Sequence, residues 1–391
     1  MYSYTAGIIT DIFILLMFLI GVYFLLTALF SLMPGGTVSP DCKMRSFIAV
    51  IPAHNEEKVI GSLIESIKGA DYPGELIRIV VVDDECSDNT SKIAEQSGAI
   101  VVKRDRSTCK GAALSHGFLY CEENGLRGDC IVVFDADNLV DKNFFREINE
   151  RFNLGAEVVQ GYIDSKNPNR TWVSGGHSMW YWITNRTVQT GRARLGMGCR
   201  IGGTGFAMKR EVLTKVPWST QTIAEDEEYT CMLAENGIKV DYAPRAVVYD
   251  EKPEKLYDSI KQRTRWARGM GDVQGEFTWR LLKRGKINAL LLLWCDVLNP
   301  IAFLVILFGT IFKVGGIANS VIGAVVMWIY ILATIFIHFS ALLADRKINS
   351  KIMINLTGFA VYMVSWIFIG IKGIFAKDNT WYHTDHKNKI L

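Results

Sequence analysis

The chain has 391 residues, of which 49% are hydrophobic, and a formal net charge of +3 at pH 7. This apolar content is higher than one soluble domain usually carries, so the composition predicts membrane segments and a lipid bilayer as a partner. The small net charge predicts no nucleic-acid partner. The eight cysteines form no Cys-x-x-Cys pair, which favours reduced, packed thiols over disulfides or a zinc site.

A first membrane span is predicted at residues 12–33, which contain no charged side chain. The segment is long enough to cross a hydrocarbon core of about 30 Å and lacks the cleavage site of a typical signal peptide. Three further apolar runs lie at residues 287–312, 314–344 and 352–371. Basic residues precede the second run and separate the third from the fourth. The positive-inside rule therefore predicts a multi-pass protein of the cell membrane whose central segment is cytoplasmic.

The predicted spans do not determine on which side of the membrane the C-terminus lies. One span before the central segment and three after it place the C-terminus outside, unless one later run lies along the membrane surface or re-enters. Residues 276–296 fit such a segment because they mix basic side chains with tryptophan and leucine. Asp296 is expected in that interfacial helix or, alternatively, in the bundle interior, where an ionisable residue is a functional candidate.

The first half of the central segment alternates strands and helices. Strands are predicted at residues 46–52, 77–84, 98–102 and 130–134, and helices at 56–69, 88–97 and 110–124. This alternation predicts an α/β nucleotide-binding fold, with a mostly parallel sheet and helical cover. The first strand is followed by Pro-Ala-His-Asn-Glu and not by a glycine-rich loop, which disfavours a dinucleotide-binding fold, and no P-loop motif occurs.

Acidic residues follow two of these strands and recur later in the chain. The pair Asp83–Asp84 ends the second strand, Asp135 and Asp137 follow the fourth, and residues 224–228 form a later acidic run. Because the carboxyl ends of parallel strands share one edge, a single pocket is expected there. A divalent metal in it would neutralise a diphosphate, and a later carboxylate would act as general base. The alternative for residues 135–137 is a turn that caps the next helix.

An ordered set of motifs carries a family resemblance. The motifs are PAHNE (52–56), VDD (82–84), KGAAL (110–114), DAD (135–137), GGTGF (202–206), AED (224–226) and QRTRW (262–266). In this order, flanked by apolar runs, they resemble the processive family 2 glycosyltransferases, the group of cellulose, chitin, hyaluronan and poly-N-acetylglucosamine synthases. The resemblance covers residues 45–290. It implies a GT-A domain that takes a UDP-sugar donor and a polysaccharide acceptor.

The resemblance also implies a role for each motif residue. Asp226 would be the general base, and Asp137, assisted by Asp135, would bind Mg²⁺ or Mn²⁺. Trp266 would stack on the terminal acceptor sugar, and Arg265 would bind the leaving diphosphate. The residues expected around the donor are Ala53, His54, Glu56, Asp83, Asp84, Lys110, Asp135 and Arg265. The residues expected around the acceptor are Gly203, Thr204, Gly205, Glu225, Gln262, Arg263 and Trp266.

The implied activity is inverting transfer of a sugar to the end of a growing β-linked polysaccharide, coupled to its translocation across the membrane. A single transfer to a membrane lipid is the alternative enzyme. A catalytically inactive, nucleotide-sensing scaffold is disfavoured because no acidic motif is missing. The sequence specifies neither the sugar and its linkage nor accessory subunits.

The predicted organisation has five parts. They are an N-terminal span and linker (1–44), the GT-A domain (45–250), acceptor-site and interfacial helices (251–296), transmembrane helices (297–375) and a tail (376–391). Residues 381–386 of the tail resemble the W-x-x-T-x-[RH] ending of several such synthases, which lies on the cytosolic side.

Overall fold

The structure is a computed structural model that describes residues 2–33, 43–105, 109–345, 347 and 350–375. The predicted tail motif at residues 381–386 lies outside the described residues. Residues 34–42 of the predicted linker also lie outside them.

An eight-stranded mixed sheet is the centre of the described structure. Its strands are β1 (Phe47–Ala53), β2 (Ile77–Asp84), β3 (Ile100–Arg104), β4 (Cys130–Val133), β5 (Leu139–Val140), β6 (Val158–Ser165), β7 (Phe206–Lys209) and β8 (Val240–Asp250). The order across the sheet is β3-β2-β1-β4-β7-β6-β8-β5. The first four strands are parallel, as predicted, whereas β7 runs antiparallel to β4 and β6.

Helices cover both faces of the sheet and continue into an apolar bundle. In chain order they are α1 (Tyr2–Phe30), α2 (Ile60–Lys68), α3 (Thr90–Gln96), α4 (Lys110–Glu123), α5 (Phe144–Asn153), α6 (Trp172–Thr184), α7 (Gly191–Arg194), α8 (Arg210–Lys215), α9 (Glu225–Glu235), α10 (Leu256–Lys283), α11 (Ile287–Leu293), α12 (Cys295–Ile311), α13 (Gly315–Asn319), α14 (Val321–Ala344) and α15 (Ser350–Phe375). A 3-10 turn (Gly74–Leu76) precedes β2, and a π-helical segment (Asn185–Thr190) joins α6 to α7.

Alternate residues of β1 supply two hydrophobic cores. Phe47, Ala49 and Ile51 pack with apolar residues of α2 and α5 on one face. Ile48 and Val50 pack on the other face with apolar residues of α4, α6 and α9. Every residue of β1 and β4 is buried, which explains their uninterrupted apolar sequences. The predicted strands and helices of this half are therefore confirmed.

In the part of the chain that the structure describes, two helices are long and apolar enough to cross a membrane, the Gly7–Phe30 part of α1 and α14. The run predicted at residues 287–312 forms α11 and α12, which meet with a bend of 76°. This bend fits the alternative in which a later run re-enters or lies along a surface. The run at 352–371 lies in α15, whose described apolar stretch is Gly358–Gly370. Residues 276–296 comprise the end of α10, a turn, α11 and the first two residues of α12, and not one continuous helix.

A buried arginine joins the apolar helices to the sheet domain. Arg192 of α7 is 2% exposed. It donates hydrogen bonds to the Tyr23 hydroxyl of α1 at 2.9 Å and to the carbonyl of Asn288 in α11 at 2.9 Å. A third bond, at 2.8 Å, reaches the carbonyl of Gly198 within the domain. One guanidinium thus fixes two helices against the domain that carries the acidic motifs.

Candidate active site

A cavity of about 1640 Å³ opens at the carboxyl ends of β1 and β4 and continues between α10, α12, α14 and α15. It brings together most of the predicted site residues. Those that line it are Glu56, Lys110, Asp135, Asp137, Gly203, Thr204, Glu225, Asp226, Gln262, Arg265 and Trp266. The motifs that the sequence spreads over more than 200 residues therefore converge on one space.

Asp135 and Asp137 lie where β4 leaves the sheet. The backbone N–H of Asp135 donates to the Thr204 hydroxyl at 3.1 Å and to the Asn138 side chain at 3.2 Å. The side chain of Asn138 in turn donates to the Asp137 carboxylate at 3.2 Å. Lys166 donates to the Asp137 carbonyl. These bonds fix the turn after β4 and direct both carboxylates to the cavity.

Lys110 links the two acidic motifs. Its Nζ lies 2.5 Å from the Asp135 carboxylate and 3.8 Å from that of Glu225, and it donates to the Gly203 carbonyl at 2.8 Å. Burial lowers the pKa of Lys110, but Asp135 and Glu225 outweigh this effect and the pKa lies above its usual value. The residue was expected on the donor side, and its ammonium lies between the carboxylates of β4 and α9.

Four consecutive carboxylates begin helix α9, and the pKa values of the first three are raised. Burial raises the pKa of Glu225 to about 7, against the opposing charge of Lys110. Burial raises the pKa of Glu227 to about 8, against the opposing charge of Arg200, and it also raises the pKa of Asp226. The partial positive charge of a helix N-terminus favours carboxylates here, yet it does not offset their removal from water.

Asp226 lies close to the backbone of the glycine motif. Its Oδ1 accepts a hydrogen bond from the Glu227 backbone N–H at 2.9 Å. A Cβ on Gly203 would lie 3.2 Å from the Asp226 Oδ2, and Gly203 has a φ of +78°. Both the close approach and the left-handed backbone require glycine at this position. The other predicted glycine, Gly205, does not line the cavity; its N–H donates to the Val133 carbonyl at 2.9 Å.

The QRTRW motif lies on α10, and its residues divide between two faces. Gln262, Arg265 and Trp266 are spaced as one helix face and line the cavity. The Trp266 ring lies 6.5 Å from that of Trp180, nearly parallel at 27°. Arg263 was expected at the acceptor, but it is fully buried on another face of the helix and does not line the cavity.

Arg263 instead joins α10 to α15. It donates to the Ser365 hydroxyl at 2.8 Å and to the Tyr362 carbonyl at 3.2 Å, and its guanidinium lies 4.2 Å from the centre of the Tyr362 ring. One residue along a helix turns the side chain by about 100°, which is why neighbours in this motif serve different surfaces.

The predicted donor residues at the ends of β1 and β2 form a hydrogen-bonded edge beside the cavity, not part of its lining. Asp83 accepts from the Cys86 backbone N–H at 2.7 Å and from the Ser91 hydroxyl. Burial raises the pKa of Asp83, but the bonds from Ser91 and Cys86 outweigh it and the pKa is lowered. The Ala53 carbonyl accepts from the Cys86 thiol at 3.3 Å.

The second half of this edge contains Asp84 and His54. Asp84 forms a 2.5 Å ion pair with Arg104 of β3, so its carboxylate faces the sheet edge. The His54 Nδ1 lies 2.6 Å from the Asp84 carbonyl. The two strand ends are thereby fixed to each other next to Glu56, which does line the cavity.

Sequence reasoning missed several charged residues of the cavity. Lys252 is 3% exposed; its Nζ lies 2.7 Å from the Asp250 carboxylate and 3.4 Å from the centre of the Tyr181 ring. Asp250 ends β8, so a strand prediction there would have placed it at the same edge as Asp135 and Asp137. Also missed were Arg200 and Glu227, of which only Glu227 had a signal, its place in the acidic run. Asp296, expected as a functional candidate if it lay in the bundle interior, lines the same cavity.

The carboxylates at the end of β4 fit a divalent cation that shares its ligands with a diphosphate. Within the described ranges, no three His, Cys, Asp or Glu side chains are grouped as a complete metal cage. Mg²⁺ is commonly bound by one or two carboxylates together with substrate phosphates. Asp135 and Asp137 supply such a pair, and Lys110 adds a fixed positive charge beside Asp135.

Replacing Lys110 by methionine should destabilise the protein more at pH 8 than at pH 6. The folded pKa of Glu225, about 7, exceeds its ordinary value of 4.5, so the wild type already loses stability as the pH rises between them. Without the ammonium this pKa rises further, and the additional loss grows as the pH rises through about 7. We expect about 1–3 kcal/mol at pH 8 from thermal unfolding in detergent.

Lys215→Met is the matched control, because Lys215 forms an exposed ion pair with Glu157 at 2.6 Å. Its effect should be small and nearly independent of pH. Equal destabilisation of the Lys110 variant at both pH values would contradict the proposed electrostatic role.

Comparison with known proteins identifies the family to which the chain belongs. A family profile described as "Glycosyltransferase like family 2" matches residues 45–269. The chain is 28% identical to the probable glycosyltransferase YdaM of Bacillus subtilis (strain 168) over 369 residues, 87% of this chain and 86% of that protein. It is 27% identical to an N-acetylglucosaminyltransferase of Azorhizobium caulinodans over 238 residues, 56% of this chain and 58% of that protein.

Among solved structures, the chain is similar to the mannosyltransferase PcManGT from Pyrobaculum calidifontis, in complex with GDP-Man and Mn²⁺. The TM-score is 0.60 at 17% identity, over 95% of this chain and 99% of that one. This likeness shows the fold, a GT-A-like mixed sheet with helices on both sides, and the family match covers more than half of the chain. The chain therefore belongs to the family 2 glycosyltransferases and is an enzyme that transfers a sugar from a nucleotide sugar.

Proposed function

We propose that this enzyme transfers a sugar with inversion from a UDP-sugar to the end of a growing β-linked polysaccharide, and that it does so on the cytoplasmic side of a membrane through which the product passes. One observation carries the proposal. The cavity that contains the acidic motifs is continuous with the space between α12, α14 and α15. An acceptor chain whose end lies at Asp226 therefore has a path between the apolar helices.

Asp226 is the general base of the proposed reaction. Its Oδ1 is bonded to the backbone of its own helix, and its Oδ2 faces Gly203, at the side of the cavity assigned to the acceptor. A base at this position removes the proton from the attacking hydroxyl as the new glycosidic bond forms. The raised pKa of Asp226, caused by burial, makes its carboxylate a stronger base than an exposed aspartate.

Positive charges around the cavity stabilise the leaving diphosphate. Lys110 lies beside Asp135, and Arg265 lines the cavity from α10. Burial lowers the pKa of Arg265, with Glu225, Asp135 and Asp226 opposing that effect. Asp135 and Asp137 would hold Mg²⁺ or Mn²⁺, which when bound supplies positive charge to the diphosphate. Fixed charges in a buried site are favoured over mobile ones because they need no reorganisation during the reaction.

Two tryptophans form the proposed acceptor platform. The nearly parallel rings of Trp180 and Trp266 both line the cavity. The apolar face of a pyranose ring packs on such aromatic surfaces. Each such contact contributes about 1 kcal/mol, by analogy with other aromatic pairs. Gln262 lies on the same face of α10 as Trp266 and provides polar contacts to sugar hydroxyls.

A second candidate is a single transfer to a membrane lipid. The observation that favours it is the apolar lining of the cavity between the helices, which suits a hydrocarbon chain as acceptor anchor. The lining residues there include Ile301, Phe303, Leu304, Ile335, Phe339 and Leu342. The two candidates share the donor site and differ only in the product.

Asp226→Asn should reduce turnover by at least on the order of 10², because the amide cannot accept the acceptor's proton. Binding of UDP should change little, since the donor residues are intact. Isothermal titration with UDP and an assay of UDP release, both on purified protein, measure the two effects. Asp272→Asn, which changes a half-exposed carboxylate on α10, is the control. Turnover of the Asp226 variant near the wild-type level would remove this residue from the mechanism.

Chelation with EDTA should abolish activity, and adding back Mg²⁺ or Mn²⁺ should restore it. Asp137→Ala should weaken binding of the UDP-sugar much more than it lowers the unfolding temperature, because the carboxylate faces the cavity. Binding is measured with a panel of UDP-sugars that begins with UDP-N-acetylglucosamine, the donor suggested by the name of the Azorhizobium relative. Full activity in EDTA would assign the two carboxylates another purpose.

Proteoliposomes given labelled UDP-sugar should accumulate a high-molecular-weight polymer that is protected from added hydrolase in their lumen. Trp266→Ala should stop elongation while UDP binding is retained, because only the acceptor platform is lost. Trp279→Ala, on the same helix but 65% exposed, should elongate normally. Label found only in a one-sugar, organic-soluble product would contradict the polysaccharide proposal and support the lipid acceptor.

A further inference from the structure

A buried arginine connects the catalytic helix to the bend between α11 and α12. Arg200, in the segment before β7, is 7% exposed. Its Nη1 lies 2.6 Å from the Asp296 carboxylate in α12, and its Nε lies 3.1 Å from the Glu227 carboxylate in α9. One guanidinium therefore forms ion pairs with two carboxylates, one on the catalytic helix α9 and one on the apolar helix α12.

The same guanidinium spans the bend itself. Its Nη2 donates to the carbonyl of Leu292 in α11 and to the Cys295 thiol at the start of α12, both at 3.0 Å. Leu292 and Cys295 lie on either side of Trp294, where the two helices meet at 76°. Arg200 thus satisfies a carbonyl near the end of α11 and neutralises the acidic first turn of α12.

Towards α9, Arg200 is connected to Asp226 through the contacts of neighbouring residues. Glu227, its ion-pair partner, is the next residue, and the Glu227 backbone N–H bonds the Asp226 carboxylate at 2.9 Å. A second connection runs through Thr230, whose hydroxyl donates to the Asp226 carbonyl at 2.8 Å and accepts from the N–H of Ile201 at 3.0 Å. The Arg200 segment is therefore fixed to the first turn of α9 at two points.

We propose that Arg200 is a positioning residue that couples the α11–α12 bend to helix α9 and so sets the location of the Asp226 carboxylate. The inference rests on the proposed role of Asp226 as general base. In this arrangement a displacement of α12 is transmitted through Asp296, Arg200 and Glu227 to the base, whereas the donor residues on β2 and β4 are untouched. Movement of the helices that surround the acceptor is thereby linked to turnover.

The molecule contains a matched ion pair that lacks the connection to α9. Arg186 of the π-helical segment pairs with Asp345, at the end of α14, at 3.0 Å. It also joins an apolar helix to the sheet domain and is mostly buried, but its ion pair is with Asp345 and not with a carboxylate of α9. Any effect common to all helix–domain ion pairs should appear equally at this site.

A double-mutant cycle tests the coupling. Arg200→Gln, Asp296→Asn and the double variant are compared with Arg186→Gln, Asp345→Asn and their double variant, all as full-length protein in detergent. We expect each change at the first site to lower kcat at least tenfold with the KM for UDP-sugar within twofold. The double variant should be no slower than the slower single variant. The control cycle should leave kcat within twofold, whatever it does to the unfolding temperature.

Arg200→Gln leaves the buried Glu227 carboxylate and the partly exposed Asp296 carboxylate without their partner. If that variant fails to fold, Asp296→Asn and Arg200→Lys still test the proposal. The side chain of Asp296 is 35% exposed, and its neutral amide retains the shape of the site. Lysine keeps the positive charge but cannot span all four partners of the guanidinium, so kcat should remain low in Arg200→Lys.

Three outcomes would overturn the proposal. They are losses of kcat that multiply in the double variant, an equal loss in the Arg186–Asp345 cycle, and a rise in KM for UDP-sugar at unchanged kcat. Failure of the underlying function is distinguishable, because then the wild-type protein itself would release no UDP, or Asp226→Asn would turn over normally.

Discussion

The burial of acidic side chains at the start of α9 is the constraint on which the site depends. Glu225 and Glu227 are buried within the first helical turn and the partly buried Asp226 lies between them, an arrangement that is costly unless cations face it. Lys110 faces it from the start of α4, and Arg200 faces it from the segment before β7. Each cation has a further partner, on β4 or on α12. The sheet edge, the catalytic helix and the apolar helices are consequently arranged around one group of charges.

The sequence was sufficient to predict the elements whose signal is local. Strands β1 and β4 are continuous apolar runs, as is the 79–82 part of β2, because both of their faces are covered. The carboxylates after β4 could be placed at a shared edge for the same reason. A surface or re-entrant segment at residues 276–296 was one expected alternative, but the position of the bend at Trp294 could not be predicted. Residues 287–312 are apolar enough to suggest one span, but the break is stabilised by Arg200, which lies 96 positions from Asp296 in the chain. The hydrophobic periodicity of a segment contains no information about a contact between residues so far apart in the sequence.

The QRTRW motif shows a different limit. Four of its residues, Gln262, Arg263, Arg265 and Trp266, were expected at the donor or the acceptor. The helix separates them by angle: the side chains of Gln262, Arg265 and Trp266 share a face, and Arg263 contacts α15. Recognition of α10 as a helix would have been enough to divide the motif. The orientation of α15 against Arg263 would still have remained beyond reach, because it depends on packing between segments 99 residues apart.

The contacts of α1 determine when the apolar part of the molecule can be completed. Asp11 of this first helix accepts a hydrogen bond from the N–H of Ile317 at 3.1 Å, across 306 positions of the chain, and α1 packs against α12, α13 and α14. During synthesis α1 is made first, and its partners leave the ribosome only after the whole sheet domain has been translated. The domain can therefore fold, and bind α1 through Arg192, before α12, α13 and α14 are available to that helix. A premature stop before residue 295 would leave that helix with an acidic side chain and no partner from the later helices.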